Sequence, residues 1–283
     1  MRLLLILALS ALTACQGIAP PPAPGRIIDL QDGQVITPQT LVQRLAKAPR
    51  VIVGERHDNA EHHRLQRWLL EALAGQRNQG SLLLEMLTPE QQPRVDAVRQ
   101  RAVLPQDLPG ALDWSPGWDW RLYGPIVELA LAQDYPLLAA NLDRAEIQRF
   151  YRQAPDLQGT YSTAQGVKTL LLEQIRESHC DLLPASRMPA MLAVQQQRDR
   201  RMAERLLEAP VPALLFTGGW HARKDAGVPL HVLDLGARAM PVVLMLAEEG
   251  SEVSSTLADY VWYTPATPPQ DYCAQMRESK PGA

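Results

Sequence analysis

Val51-Ile52-Val53-Gly54-Glu55-Arg56-His57-Asp58-Asn59 is apolar at three successive positions and then turns abruptly polar. A strand with one wet face alternates, so a run without alternation predicts a strand buried on both faces, as in a parallel sheet covered by helices. Four similar runs follow: Leu82-Leu83-Leu84, Pro136-Leu137-Leu138-Ala139-Ala140, Ala213-Leu214-Leu215-Phe216 and Val242-Val243-Leu244-Met245-Leu246. Between the first two, His62 to Gly75 sets Leu65, Trp68, Leu69 and Leu73 at helical spacing. The pattern predicts an α/β fold from Arg50 to about Leu246, with a mostly parallel central sheet covered by helices.

Two segments break that rhythm. Leu87 to Tyr123 is rich in Pro, Gln and Trp, and residues 145–207 read as a helical insertion broken near Pro155, Pro184 and Pro189, with Gln195 to Leu207 its best helix. Such an insertion has more apolar surface than its own small core can bury, so it is expected to cap the sheet or form an oligomer contact. Asp259 to Tyr263 alternates and is expected to be an antiparallel edge strand.

Composition narrows the class. The chain has 283 residues, net charge -3, 46% hydrophobic and 21% charged residues, the profile of a globular protein rather than a disordered or polyanion-coating one. Of 28 basic residues only four are lysines: Lys47, Lys168, Lys224 and Lys280.

At the N-terminus Arg2 precedes an apolar run from Leu3 to Leu9, too short to span a bilayer and of the form of a secretory signal. It closes on Leu12-Thr13-Ala14-Cys15, which resembles the bacterial lipobox, so Cys15 is the expected lipidation site. The domain reading is therefore a signal peptide at 1–14, a lipidated N-terminus and tether at 15–32, and one domain at 33–283. Gln16 follows the cysteine, and under the sorting rule that keeps lipoproteins with Asp there in the inner membrane, the expected address is the outer membrane, facing the periplasm. In that oxidising compartment the two remaining cysteines, Cys180 and Cys273, are expected to pair.

Ligand sites in open parallel sheets gather at the carboxyl edge, and four strand ends here are polar. They deliver Glu55 and His57, with His62 and His63 behind; Glu85; Asn141 and Asp143; and His221, Arg223 and Lys224 within Thr217 to Lys224. Glu85 abuts a buried run, so it needs a cationic neighbour such as Arg56, or a ligand or metal. Of His62 and His63, one is expected to face the rim and the other solvent; His231 reads as a satisfied core or edge histidine. Trp114, Trp118 and Trp120 form a loop that suits either a flat ligand or a packed minicore.

GERHDN with the two histidines behind it, LLLEM, AAN, QQQRDRRMA at Gln195 to Ala203 and TGGWHARKDAGVP at Thr217 to Pro229 together resemble the ChaN-like haem-binding lipoprotein family, within the wider TIKI and erythromycin-esterase-like superfamily. The resemblance runs from about Gly33 to Met245. It implies haem as cofactor, a role in haem and iron uptake, and a homodimer holding two cofacial haems. In that picture each iron is held by a tyrosine of one subunit, and the propionates meet a histidine and a lysine of the other. No tyrosine lies inside the matched blocks. Tyr161, with Lys168 and His179 following, is the first candidate; Tyr123 and Tyr151 come next, and Lys224 competes with Lys168. A second reading, by analogy with the superfamily, is a metal-assisted or general-base peptide or ester hydrolase using Glu55, His57, Glu85 and His221. A third is an envelope protein whose rim is vestigial.

Overall fold

The computed structural model describes residues 20–22 and 25–278; the signal segment, Cys15 and residues 16–19, 23 and 24 of the tether lie outside the described residues. Eight strands, β1 (Ile27–Asp29), β2 (Val35–Ile36), β3 (Arg50–Glu55), β4 (Ser81–Leu84), β5 (Leu137–Ala139), β6 (Ala213–Gly218), β7 (Val242–Glu248) and β8 (Tyr260–Thr264), form one sheet. Their order is β2-β1-β8-β7-β3-β6-β4-β5. The five apolar runs are β3 to β7, and every pairing among them is parallel. Val53 stands level with Phe216 and Leu244, so the carboxyl ends line up on one side.

Both faces of the sheet are covered. Val51, Val53, Leu82, Leu84, Leu214 and Phe216 point into a core completed by the helices Pro38–Leu45, Ala60–Ala74 and Trp120–Leu131. Their sequence neighbours Ile52, Leu83, Leu215 and Val243 point the other way, into a core with Met202, Ala203 and Leu206 of the helix Met188–Glu208 and with Val228 and Val232. Successive strand residues face opposite sides, so two covered faces demand an apolar residue at every position. Each large apolar side chain removed from water in this way contributes about 1.5–3 kcal/mol.

The sheet departs from the sequence reading on its β8 side. β8 is not an antiparallel edge: it runs parallel to β7 and antiparallel to β1, between the two. Four of its five residues are buried, Trp262 in one core and Tyr263 in the other. The strand that displaces it from the edge comes from the stretch read as tether. Ile27–Asp29 joins the sheet and turns back through Gly33, at φ +72°, to pair with β2. Three residues are too few to show a period, which is why that strand is invisible in the sequence.

The insertion folds as three helices, Arg144–Gln153, Gln165–Ser178 and Met188–Glu208. Pro189 does not break the last one, because it occupies the first turn, where the missing N–H has no partner to lose. Asp143 caps the first of the three, its side chain accepting from Glu146 N while the Glu146 carboxylate accepts from Asp143 N. Cys180, just past the second helix, is disulfide-bonded to Cys273 in the C-terminal helix Tyr272–Glu278. Among the described residues no helix is long and apolar enough to cross a membrane.

Candidate functional site

The carboxyl ends of β3, β4 and β6 frame a cavity of about 860 Å³, walled in part by the helices Gln165–Ser178 and Met188–Glu208 and open to solvent. Close approach of backbone makes this possible. A Cβ on Gly54 would stand 2.6 Å from Ala222 Cβ and 2.8 Å from Met245 Sδ, and one on Gly218 would stand 2.7 Å from His57 Nε2.

Two carboxylate–histidine clusters flank Gly218. In the first, His57 Nδ1 is 2.9 Å from Glu55 Oε1, and Tyr123 donates its hydroxyl to the same oxygen at 2.7 Å. His63 Nδ1 stands 3.1 Å from Glu55 Oε2, while its Nε2 donates to the His57 carbonyl. Burial works against a charged His57, but Glu55 and the nearby Glu85 and Asp58 outweigh it and raise its pKa. With Nδ1 occupied, Nε2 is the nitrogen left facing Gly218 and the cavity.

In the second cluster, Glu85 Oε2 accepts from Thr217 Oγ1 at 2.7 Å and from Gly218 N at 2.8 Å. His221 bridges two acids, with Nδ1 2.6 Å from Asp199 Oδ1 and Nε2 3.4 Å from Glu85 Oε1. Burial opposes both charges, yet His221, His57 and Arg198 hold the Glu85 carboxyl down to about 2, and the two acids raise His221. An imidazole with an acid at each nitrogen is matched only when both nitrogens carry protons. Glu85 therefore takes its cation from His221. Arg56, the partner expected from the sequence, is engaged by Asp58 and Glu248 at 2.8 Å each.

Glu55, His57, Glu85, His221 and Arg223 all line the cavity, with His179 from the cap. His62 and Asn141 do not. His62 is buried, accepts from Arg56 N and meets Thr264 Oγ1, and burial takes its pKa down to about 4. His63 is buried as well, so neither histidine of the pair faces solvent. Asn141 donates to the Glu85 carbonyl and braces the end of β4. Lys224 is held by Asp259 at 2.6 Å, away from the cavity lining. His231 lies in the core, but neither ring nitrogen has a hydrogen-bond partner among the described residues. The tryptophan loop divides its labour: Trp114 and Trp120 pack edge to face, while Trp118 walls the cavity against His57.

No tyrosine lines the cavity. Tyr123 is buried, and burial together with Glu55 raises its pKa, which disfavours the phenolate. Tyr151 packs beside Phe150 and Leu142. Tyr161 is the contrast, 52% exposed on the cap. Its loop is pinned: Asp234 accepts from Thr160 N, Tyr161 N, Ser162 N and Ser162 Oγ, and Gly159, at φ +129°, leaves room for that carboxylate. Lys168 and His179 sit near opposite ends of the next helix, about 16 Å apart along its axis.

Sequence reasoning missed Asp199, Arg198 and the role of Tyr123 as a hydrogen-bond donor to Glu55. Asp199 left a signal: it stands at helical spacing with Met202, Ala203 and Leu206, on the face that enters the core. An acid on an apolar stripe needs a partner, and His221 is that partner. Tyr123 left none, because its helix reads as ordinary core packing.

The profile of a family described as haem-binding uptake, Tiki superfamily, ChaN, matches residues 41–232. A solved structure of cofacial haem binding to ChaN of Campylobacter jejuni is similar over 86% of this chain and 97% of its own, with 30% identity and TM-score 0.79. An erythromycin esterase mutant in its open conformation is 14% identical at TM-score 0.49, covering 89% of this chain and 86% of its own. A toxin effector domain from Vibrio vulnificus is 15% identical at TM-score 0.48, covering 82% and 38%. At that distance these last two carry no argument about function. No curated protein matches the sequence significantly.

Proposed function

Because the chain belongs to the ChaN haem-binding uptake family of the Tiki superfamily, we propose that it binds haem through the Tyr161 phenolate, as a lipid-anchored homodimer serving iron uptake. The observation that carries the reading is the similarity, over nearly all of both chains, to a protein that binds haem cofacially. Phenolate is a hard anionic donor suited to ferric iron, and metal binding supplies the ionisation that a free tyrosine, with pKa about 10, lacks at neutral pH. Tyr161 is exposed and its hydroxyl is bonded to nothing among the described residues. Tyr272, also exposed, has its hydroxyl on Asp58, which raises its pKa.

A haem held at an exposed loop leaves one macrocycle face in water. Stacking two such haems between two copies of the chain buries both faces, which is the physical reason for a dimer with one haem per subunit. Lys168 and His179 of the partner copy are the cap residues proposed for the propionates. Cys15 is the proposed lipid anchor, the stretch up to Arg26 its tether, and the periplasmic face of the outer membrane its address. Hemin titration of the protein, followed by absorbance and sedimentation, tests this: a ferric phenolate band saturating at one haem per chain, with a shift to dimer, is the expected result. Tyr161→Phe removes the band, and a band that survives assigns the iron to another tyrosine.

The Glu55–His57 pair supports a second reading. A carboxylate holds Nδ1 and leaves Nε2 facing a cavity, as in a general base that takes a proton from water or a hydroxyl nucleophile. Hydrolysis of p-nitrophenyl butyrate that disappears in His57→Ala is the expected result under this reading, and equal background rates in both proteins end it.

A further inference from the structure

We infer that the cavity under the cap is a second ligand site, for a small amphipathic monocarboxylate, with Arg198 anchoring its head group. The inference rests on neither functional reading above. Three arginines line the cavity, and they differ. Arg56 is paired with Asp58 and Glu248, and Arg223 with Asp225 while stacked 4.3 Å over Trp220. Arg198 forms no hydrogen bond or ion pair among the described residues, and its Nε is buried without a partner. Its neighbour Asp199 cannot serve it, because consecutive helix residues diverge by about 100°, so Asp199 turns to His221 while Arg198 turns to the cavity.

A guanidinium with a desolvated, unpaired N–H is costly and is complementary to a carboxylate, which it meets through two parallel hydrogen bonds. The other buried charges at the floor are already matched: Glu55 by Tyr123 and His57, and Glu85 by Thr217, Gly218 and His221. Asp199 shares His221 with Glu85, and the buried Nε–H of Arg198 is left as a donor for a ligand to meet. A dianion such as phosphate would place its second charge against those same carboxylates with no free cation to receive it. The rest of the ligand is set by the wall. Ile175, Met191, Val194, Met245, Val253 and Leu257 are apolar lining residues, and the cavity's volume is in the range that holds small organic molecules.

The probe is 4-phenylbutyrate, with 4-phenylbutanamide as its neutral counterpart, titrated calorimetrically into the full chain. The acid is expected to saturate at one per chain and to bind about tenfold or more tighter than the amide, the range of a charge-assisted bidentate pair. Arg198→Met should bring the acid's affinity down to that of the amide and leave the amide unchanged, with hemin saturation retained. Should that variant fail to fold, Arg198→Lys keeps the charge without the fork and should weaken the acid alone, by about threefold or more. Absence of binding, equal affinities for acid and amide, or full affinity in the arginine variant overturns the proposal. Hemin titrated into protein saturated with the acid should bind unchanged. Competition between the two would make the cavity part of the haem site, ending the claim of a second site while leaving haem binding intact.

Discussion

The strand-end rim and the Tyr161 loop carry chemistry in opposite ways. At the rim, Glu55, Tyr123, His57 and His63, and then Glu85, Thr217, His221 and Asp199, come from separate segments and bond one another, all of them buried except the half-exposed His57. On the cap, one side chain stands exposed on a loop that a single carboxylate, Asp234, holds in place. Buried polar groups that satisfy one another are expensive to disturb singly, whereas an exposed ligand contributes little to its own fold. The rim is thus a complete site within one chain. The loop, on the proposal above, is half of one, and a second copy of the chain would enclose the haem there.

The largest effect that tests this contrast belongs to His221→Ala. It leaves Glu85 and Asp199 buried without their shared cation, and should lower unfolding free energy by about 3–5 kcal/mol in denaturant titration. A loss under about 1 kcal/mol would mean that water replaces the imidazole and that the rim is less dry than described. pH should show the same dependence. Glu85, depressed in the fold to about 2, contributes stability that is present above its ordinary value near 4 and is lost as pH falls from there toward 2. His57 and His221 are raised, so their contribution is full below the ordinary histidine value near 6.5 and is lost as pH rises through their folded values. Thermal melts across pH should therefore fall off on both sides. In Glu85→Gln the acid-side loss should shrink, and an unchanged acid limb would assign it to other carboxylates.

Asp234→Ala sits between the extremes. Four hydrogen bonds to residues 160–162 go at once, but from a partly exposed site, so about 1–2 kcal/mol of stability is the expected loss. Hemin affinity should fall although Tyr161 is still present; full affinity would show that the loop needs no clamp. The smallest change in stability is expected for Tyr161→Phe, below about 0.5 kcal/mol, because its hydroxyl bonds to nothing in the chain. A larger change would place that hydroxyl in a contact and undo the contrast.

How far the sequence could be read follows from what local patterns encode. Gly54 to His57 and Gly218 to His221 were legible as rim because each follows a strand apolar at every position, and the parallel register brings the two together. The partner of Glu85 was not legible, since Arg56 and His221 are equally available as cations and only packing puts the imidazole within reach. Arg198 and Asp199 lie inside a conspicuous block of residues, yet their divergence across the helix acquires meaning only from the cavity that the cap lines.

From its residues alone this chain specifies five doubly buried parallel strands, a helical cap, a polar carboxyl edge and its kinship, because periodicity and motif order are properties of the chain itself. Tertiary structure alone decided that β8 is interior, that Ile27 begins the sheet, that Tyr123 is bonded to Glu55 while the Tyr161 hydroxyl is not bonded among the described residues, and that one arginine of the cavity has a buried N–H without a hydrogen-bond partner. Alternation tells a strand which faces are covered but not which strands lie beside it, and a charge acquires its partner only from what folding brings within hydrogen-bonding distance.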